Sequence, residues 1–303
     1  MRIGTLFSGI GAPELALKEL GVKHTVEFAC DSDPNAKATY LLNHRPRRLF
    51  DDVRAIDRLP PVDLLVFGFP CQAFSIAGLG KGLSDPRGQL VLEAIRLLRQ
   101  AQPRWFVAEN VANLVSLDGG KAFRLILQHM RAAGYAVTWA VLNSLDFGVP
   151  QLRRRVWIVG QRNDVCSPFS FPTAANGRAS LTQVLDRLPR NGRFAPFFAT
   201  EAFLAKPKVA AALAGYRHDY IRCLTGAIAR NGSSGEYISY VAAVNLAIGQ
   251  TRKPTPQECL RLHGFPEGFK FPQGLNTTAR YNQAANTMTV PLVQAILKGL
   301  IAC

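Results

Sequence analysis

Cys71 ends an apolar run: residues 63–71 read DLLVFGFPC, and the glycine-rich QAFSIAGLGKG follows. A thiolate is the best nucleophile among protein side chains once nearby cations or helix N-termini lower its pKa. Other segments carry chemistry in the same setting, just beyond an apolar run. ENV places Glu109 behind RWFVA. A carboxylate is rarely set there for packing, and held partly desolvated it can donate a proton. QLRRRVW sets Arg153 and Arg155 at alternate positions, which predicts two cations on one strand face and Arg154 on the other. SGIGA, with Gly9 and Gly11, offers backbone N–H groups at a strand-to-helix turn. DSD puts Asp31 where α/β nucleoside-binding domains hold ribose hydroxyls, and DDV adds an acid able to take an amino group such as adenine's. Each acid alone fits a solvated loop; the two acids in register with the glycine turn predict an adenosyl ligand. Glu14 occupies the place of the third small residue of a dinucleotide turn and no G-K-[ST] occurs, which disfavours an NAD enzyme and excludes a P-loop.

These residues need elements to hold them. Apolar runs predict strands at 3–7, 25–30, 63–69, 105–109, 136–142 and 155–160. Spacings of three and four predict helices at 12–20, 34–43, 88–101 and 120–133. That alternation argues for an α/β domain on a largely parallel sheet, whose ligands sit beyond the carboxyl ends of the strands. From about 165 the texture loosens, with a short helical stretch at 180–189. Residues 190–275 read as a separate, small, loop-rich domain. The final TVPLVQAILKGLIAC reads as an amphipathic helix that returns to the first domain. The division expected is therefore 1–189, 190–275 and 276–303.

The net charge of +15 is lopsided. Residues 1–150 hold 17 Lys+Arg and 14 Asp+Glu, net +3; residues 151–303 hold 19 and 7, net +12. So basic a C-terminal half fits a polyanionic partner, most simply a nucleic-acid backbone. The six cysteines are scattered without C-x-x-C or histidine at ligand spacing, so free thiols are expected and no metal. No uninterrupted apolar run approaches the roughly 18 residues of a membrane span, and the N-terminus does not read as a signal peptide. The expectation is a soluble protein without a membrane partner.

Taken together the segments resemble the DNA (cytosine-5) methyltransferase family, in the family's motif order and over nearly the whole chain. FSGIGAPELAL looks like its adenosylmethionine motif, and GFPCQAFSIAGLGKGLSDPRGQL like its Pro-Cys motif with a mobile loop. ENV and QLRRRVWIVG look like its Glu and Gln-x-Arg-x-Arg motifs. RKPTPQECLRLHGFP (252–266) is similar to the segment that organises the small domain, and ANTMTVPLV to the closing Asn motif. Ala12 and Ala285 stand where glycine is usual, Asp31 where Glu is common, and Ser32 lacks the bulky side chain some members stack on adenine.

The resemblance implies a Rossmann-like S-adenosyl-L-methionine-dependent domain with a small DNA-recognition domain. It implies Cys71 as nucleophile, Glu109 as the acid on the cytosine ring, and Arg155 with Arg153 as partners of the base and loop. Phe7, Gly9, Gly11, Asp31, Asp52, Val53, Phe69 and Asn286 would hold the cofactor. Pro70, Gln72, Ser75 and Gln151 would face double-stranded DNA. In the small domain, Arg217, His218, Tyr220, Arg222, Thr225, Arg230, Asn231 and Ser233 are the candidates for base or phosphate contact. The expected setting is cytoplasmic and nucleoid-associated, as a monomer, with a cognate restriction endonuclease that the sequence does not name. Rival readings are a tRNA cytosine-5 methyltransferase, whose relatives share the motifs but carry a Cys-Phe-Thr signature lacking here, and a silent DNA-binding regulator. Intact Cys71, Glu109 and Arg155 argue against the latter.

Overall fold

A computed structural model describes residues 1–70, 88–165, 169–174, 177, 179–229 and 234–301. The chain divides into two compact units. The larger comprises 1–142, 154–173 and 292–303; the smaller comprises 143–153 and 174–291.

Seven strands form the sheet of the larger unit: β1 (Arg2–Leu6), β2 (Thr25–Cys30), β3 (Leu49–Phe50), β4 (Leu64–Gly68), β5 (Trp105–Val111), β6 (Tyr135–Asn143) and, after the two-residue β7 (Gln151–Leu152) of the other unit, β8 (Arg154–Arg162). Their order is β3-β2-β1-β4-β5-β8-β6. Strands β3 to β5 run parallel, and β8 runs antiparallel to β5. The strand order reverses on either side of β1, so its carboxyl end is a topological switch point, where α/β sheets open a crevice for ligands. Helices α1 (Ala12–Glu19), α2 (Pro34–Asn43), α3 (Leu90–Ala101) and α4 (Lys121–Ala132) supply the crossovers. The start of α2 is fixed twice over: Pro34 presets the first turn, and the Asp33 carboxylate accepts the Asn35 N–H. Phe67, Phe106 and Ile158 from three neighbouring strands meet Ile95, Leu98 and Ile126 from two helices in one core. Full burial of each such side chain is worth about 1.5–3 kcal/mol.

In the smaller unit β7 pairs in parallel with β9 (Ile221–Arg222). Around them lie α5 (Leu181–Val184), α6 (Glu201–Leu204), α7 (Pro207–Gly215), α8 (Gly235–Ile248), α9 (Pro256–Arg261) and α10 (Thr277–Ala285). The expected boundaries move accordingly. The smaller unit begins at 174 rather than 190, because the chain turns extended at Leu185 and only Leu181–Val184 of the expected 180–189 helix forms. It also claims 143–153 and 276–291, because β7 pairs with β9 and α10 packs on α9. Helix α8 gives this unit more helix than its loop-like composition led one to expect. The last helix, α11 (Val290–Ile301), returns to the larger unit as expected, burying Leu292, Val293, Ile296, Leu297 and Leu300. The stretch Thr277–Ile301 is long and apolar enough to cross a membrane by composition, but 56% of its most apolar window is buried inside the protein and Asn286 interrupts it.

Candidate active site

The carboxyl ends of β1 to β5 bring together most of the nominated residues of the larger unit. Phe7 leaves β1 with φ 53°, a left-handed backbone that costs an L-residue roughly 1–2 kcal/mol. Ser8 then ties this turn to the end of β2: its N–H donates to the Cys30 carbonyl (2.9 Å), and its Oγ accepts the Cys30 N–H (2.9 Å). The Gly9 N–H donates to Asp31 Oδ2 at 2.7 Å, and the Asp33 N–H to Asp31 Oδ1 at 2.9 Å. Burial raises the pKa of Asp31, and these two N–H groups oppose the rise. Asp52 follows β3 with its carboxylate hydrogen-bonded to the Arg54 guanidinium, which lowers its pKa. Val53 and Phe69 are buried in the core, with Phe7 packed against that core.

This edge fits an adenosyl group. Gly9 has φ 55° and a Cβ added there would meet nothing within 4 Å, so the backbone is bare toward open space. Asp31 keeps acceptor capacity after two N–H bonds, as a ribose diol requires. Gly11 is explained differently: a Cβ there would lie 2.4 Å from the His44 ring, so its role is to let α1 pack on α2. Asn286 belongs to the smaller unit, where it is exposed at the C-terminal cap of α10.

Glu109 and Arg155 form the ionic centre of the edge. Across β5 and β8, Glu109 stands opposite Trp157, so Arg155 is its diagonal neighbour on the same face. Arg155 Nε lies 3.1 Å from Glu109 Oε1, with side chains only 15% and 13% exposed. Across β4, Glu109 stands opposite Gly68, three residues before Cys71. The next residue, Asn110, is 1% exposed, and its Nδ2 donates to the Phe69 carbonyl at 2.9 Å. That bond fixes the backbone leading into Pro70. Asn110 carries no sequence signal of its own beyond its place in ENV. Cys71, Gln72, Ser75, Arg230, Asn231 and Ser233 lie outside the described residues. Among the described residues the thiols of Cys30 and Cys259 behave as packing groups: burial pushes Cys30 up to about 12 and Cys259 well above its ordinary value.

Two nominations are corrected. Arg153 is not on the strand that carries Arg155, because β8 begins only at Arg154 and Arg153 sits in the break after β7. It is buried in the smaller unit and donates to the carbonyls of Leu224 (3.3 Å) and Thr287 (3.0 Å). Gln151 is fully buried: its Nε2 donates to the Leu262 carbonyl and its Oε1 accepts the Leu224 N–H, leaving it no face for DNA. Both side chains brace Leu224, next to Thr225. The other nominees of this unit suit an external partner better. Arg217 and Arg222 are exposed, and Tyr220 is partly so, with its ring stacked on His218 at 4.8 Å.

The segment 252–266 braces the smaller unit through an ion pair fully out of solvent. Arg252 Nη2 and Nη1 donate to Glu258 Oε1 (2.6 Å) and Oε2 (2.8 Å), both side chains being 0% exposed. Glu258 also takes the Thr255 N–H in a capping box that starts α9. The sequence signal was the T-P-x-E that follows Arg252 at short range.

The family described as C-5 cytosine-specific DNA methylase matches residues 1–302. The Type II methyltransferase M.Bsp6I of Bacillus sp. (strain RFL6) is 33% identical over 99% of this chain and 98% of its own length. M.NgoBI of Neisseria gonorrhoeae, also a Type II methyltransferase, is 34% identical over 97% and 90%. Among solved structures, the Dnmt2 methyltransferase of S. pombe aligns with a TM-score of 0.73 at 19% identity, covering 100% of this chain and 98% of that one, a likeness of fold.

Proposed function

The chain belongs to the C-5 cytosine-specific DNA methylases and is a DNA (cytosine-5) methyltransferase, and from that premise we propose how its residues divide the work. The proposed reaction is site-specific methylation of cytosine carbon 5 in double-stranded DNA, with S-adenosyl-L-methionine as donor. One observation carries the reading: Glu109, paired with Arg155, faces the strand that leads into Pro70 and Cys71.

Phe7, Gly9, Asp31, Asp52, Val53 and Phe69 would hold the donor at the carboxyl edge, with Asp31 toward the ribose hydroxyls. When bound, the donor supplies an electrophilic methyl group on a sulfonium. Carbon 5 of cytosine is too poor a nucleophile to take it unaided. The Cys71 thiolate adds to carbon 6, while Glu109 delivers a proton or hydrogen bond to ring nitrogen 3. The ring electrons then gather at carbon 5 as an enamine. Once carbon 5 is substituted, its proton passes to solvent water as base, the carbon–sulfur bond breaks to return the thiolate, and any proton taken at nitrogen 3 goes back to Glu109. Proton help of this kind is worth about 100- to 10,000-fold. Arg155 orients Glu109 and offers a donor to the base. A target inside a duplex must be flipped out first, at a cost of a few kcal/mol. Asn110 contributes by holding the Phe69 carbonyl, which fixes the point from which Cys71 is presented.

Arg217, Tyr220, Arg222 and Thr225 are proposed as contacts to bases or phosphates, and the net +12 half as the source of backbone affinity. A cytoplasmic, nucleoid-associated place and a cognate restriction endonuclease are proposed in keeping with the Type II relatives, and action as a monomer is proposed alongside them. The test is label transfer from radioactive S-adenosyl-L-methionine to duplex DNA, single-stranded DNA and tRNA, followed by bisulfite mapping. Transfer to duplex DNA at one sequence context is expected, and transfer to tRNA alone would overturn the assignment. Cys71→Ala should lose transfer while still binding the donor; residual turnover near wild type would remove Cys71 as nucleophile.

A further inference from the structure

Lys253 is an ionisable group that the proposed chemistry does not use. It is 3% exposed, yet its ammonium meets no carboxylate among the described residues. Its Nζ donates to the Ile228 carbonyl at 3.0 Å. The rings of Tyr281 and Tyr237 lie 4.6 and 6.0 Å from Nζ, an arrangement that favours a cation over aromatic faces. Burying a charge on one carbonyl and two rings is costly where a methionine would fill similar volume without desolvation. What the ammonium supplies, and methionine cannot, is a hold on one backbone carbonyl.

That carbonyl lies in the 3-10 turn Gly226–Ala229. The Ile228 N–H donates to the Thr225 carbonyl at 3.1 Å, and the Ala227 N–H to Thr225 Oγ1 at 3.2 Å. Thr225 is fixed further by the Tyr240 hydroxyl on its N–H (3.3 Å) and by its own Oγ1 donating to Glu236 Oε2 (2.9 Å). The turn is thus held from α8 at Thr225 and from Lys253 at Ile228. The Lys253 backbone is itself anchored, its N–H donating to the Phe197 carbonyl (3.1 Å) and its carbonyl accepting from Arg252 Nη1 (3.1 Å). A rigid path runs from the buried Arg252–Glu258 pair to the turn that carries Thr225.

We infer that Lys253 is a positioning residue for DNA recognition, setting the 225–229 turn so that Thr225 and the neighbouring Arg222 are presented to the duplex. This rests on the proposed action on DNA. Its signature is a change in how DNA is bound and discriminated, with the chemical step left alone.

The test compares wild type with Lys253→Met, measuring kcat and KM on a cognate duplex, the same constants on duplexes altered by one base pair, and hydrogen–deuterium exchange over 225–229. Expected are a kcat within about twofold of wild type, a KM for DNA raised on the order of tenfold, weaker discrimination against the altered duplexes, and faster exchange in the turn. Unchanged KM and discrimination would overturn the inference, whatever the exchange shows. If Lys253→Met does not fold, an ester in place of the amide between Ile228 and Ala229 weakens the same carbonyl without touching a side chain, and the same readings decide. Should wild type leave duplex DNA unmethylated, the proposed function fails instead, and a KM shift on whichever nucleic acid is methylated decides the role of Lys253.

Discussion

Glu109 has a strand on either side, and each neighbour gives it something different. Gly68 across β4 leaves room beside the carboxylate, while Arg155 on β8 orients it. Glu109→Gln keeps the shape and one hydrogen bond but cannot pass a proton, so single-turnover methylation should slow by about 100- to 10,000-fold with donor affinity unchanged. A near-normal rate would remove Glu109 from the chemistry. Glu109 stood out because its charge directly follows the apolar RWFVA, and Arg155 because it precedes VWIVG in the Gln-x-Arg-x-Arg spacing. Gln151 and Arg153 looked the same on paper and proved to be interior braces. What separates them is a strand break at Arg153, set by the pairing of β7 with β9 some 70 residues away, and no local pattern encodes such a pairing.

At the scale of elements, the smaller unit depends on a brace of charges. Glu258→Gln would leave the Arg252 guanidinium buried without a counter-charge, and urea denaturation should show a loss of roughly 3–5 kcal/mol. The double variant Arg252→Met/Glu258→Leu should recover part of that loss, since it removes both charges. A pH effect belongs here as well. Burial lowers the pKa of Lys253 from 10.5 to about 8. Between those values the unfolded chain carries a proton that the folded chain does not, so this residue makes stability rise with pH across the window. Cys259, whose folded pKa is raised, contributes a slope of opposite sign. The measurement is therefore the difference between wild type and Lys253→Met from pH 7 to 10.5, which should shift in favour of wild type as pH rises. A flat difference would show that Lys253 keeps its ordinary pKa. Strands β1, β2, β4, β5, β6 and β8 and helices α1 to α4 were readable because each carries an apolar run or one apolar face, whereas the two-residue β3 is too short to show one. Helix α8 was not, since GEYISYVAAVNLAI is apolar nearly all round and offers no period to detect.

For the whole molecule, the uneven charge makes a quantitative demand. If the net +12 half neutralises phosphates, affinity for duplex DNA should fall linearly in log–log form with salt, by about 1,000-fold or more between 50 and 200 mM for six or more contacts. A response shallower than two contacts would imply would contradict backbone binding by that half. The two-unit plan and the helix that returns were visible in the sequence. The exact seams were not, because they follow contacts between distant segments and not composition.

The placement of α11 also sets a timetable. The chain makes β1 to β8 first, then all of 174–291, and only then the helix whose Leu292, Val293, Ile296, Leu297 and Leu300 complete the first core. At about 5–20 residues per second, that interval lasts roughly 6 to 24 s. Throughout it the nascent larger unit lacks a wall of its core, while the smaller unit can already have formed. A chain interrupted at residue 291 would hold every segment of the smaller unit and a larger unit still short of the helix that buries these five side chains.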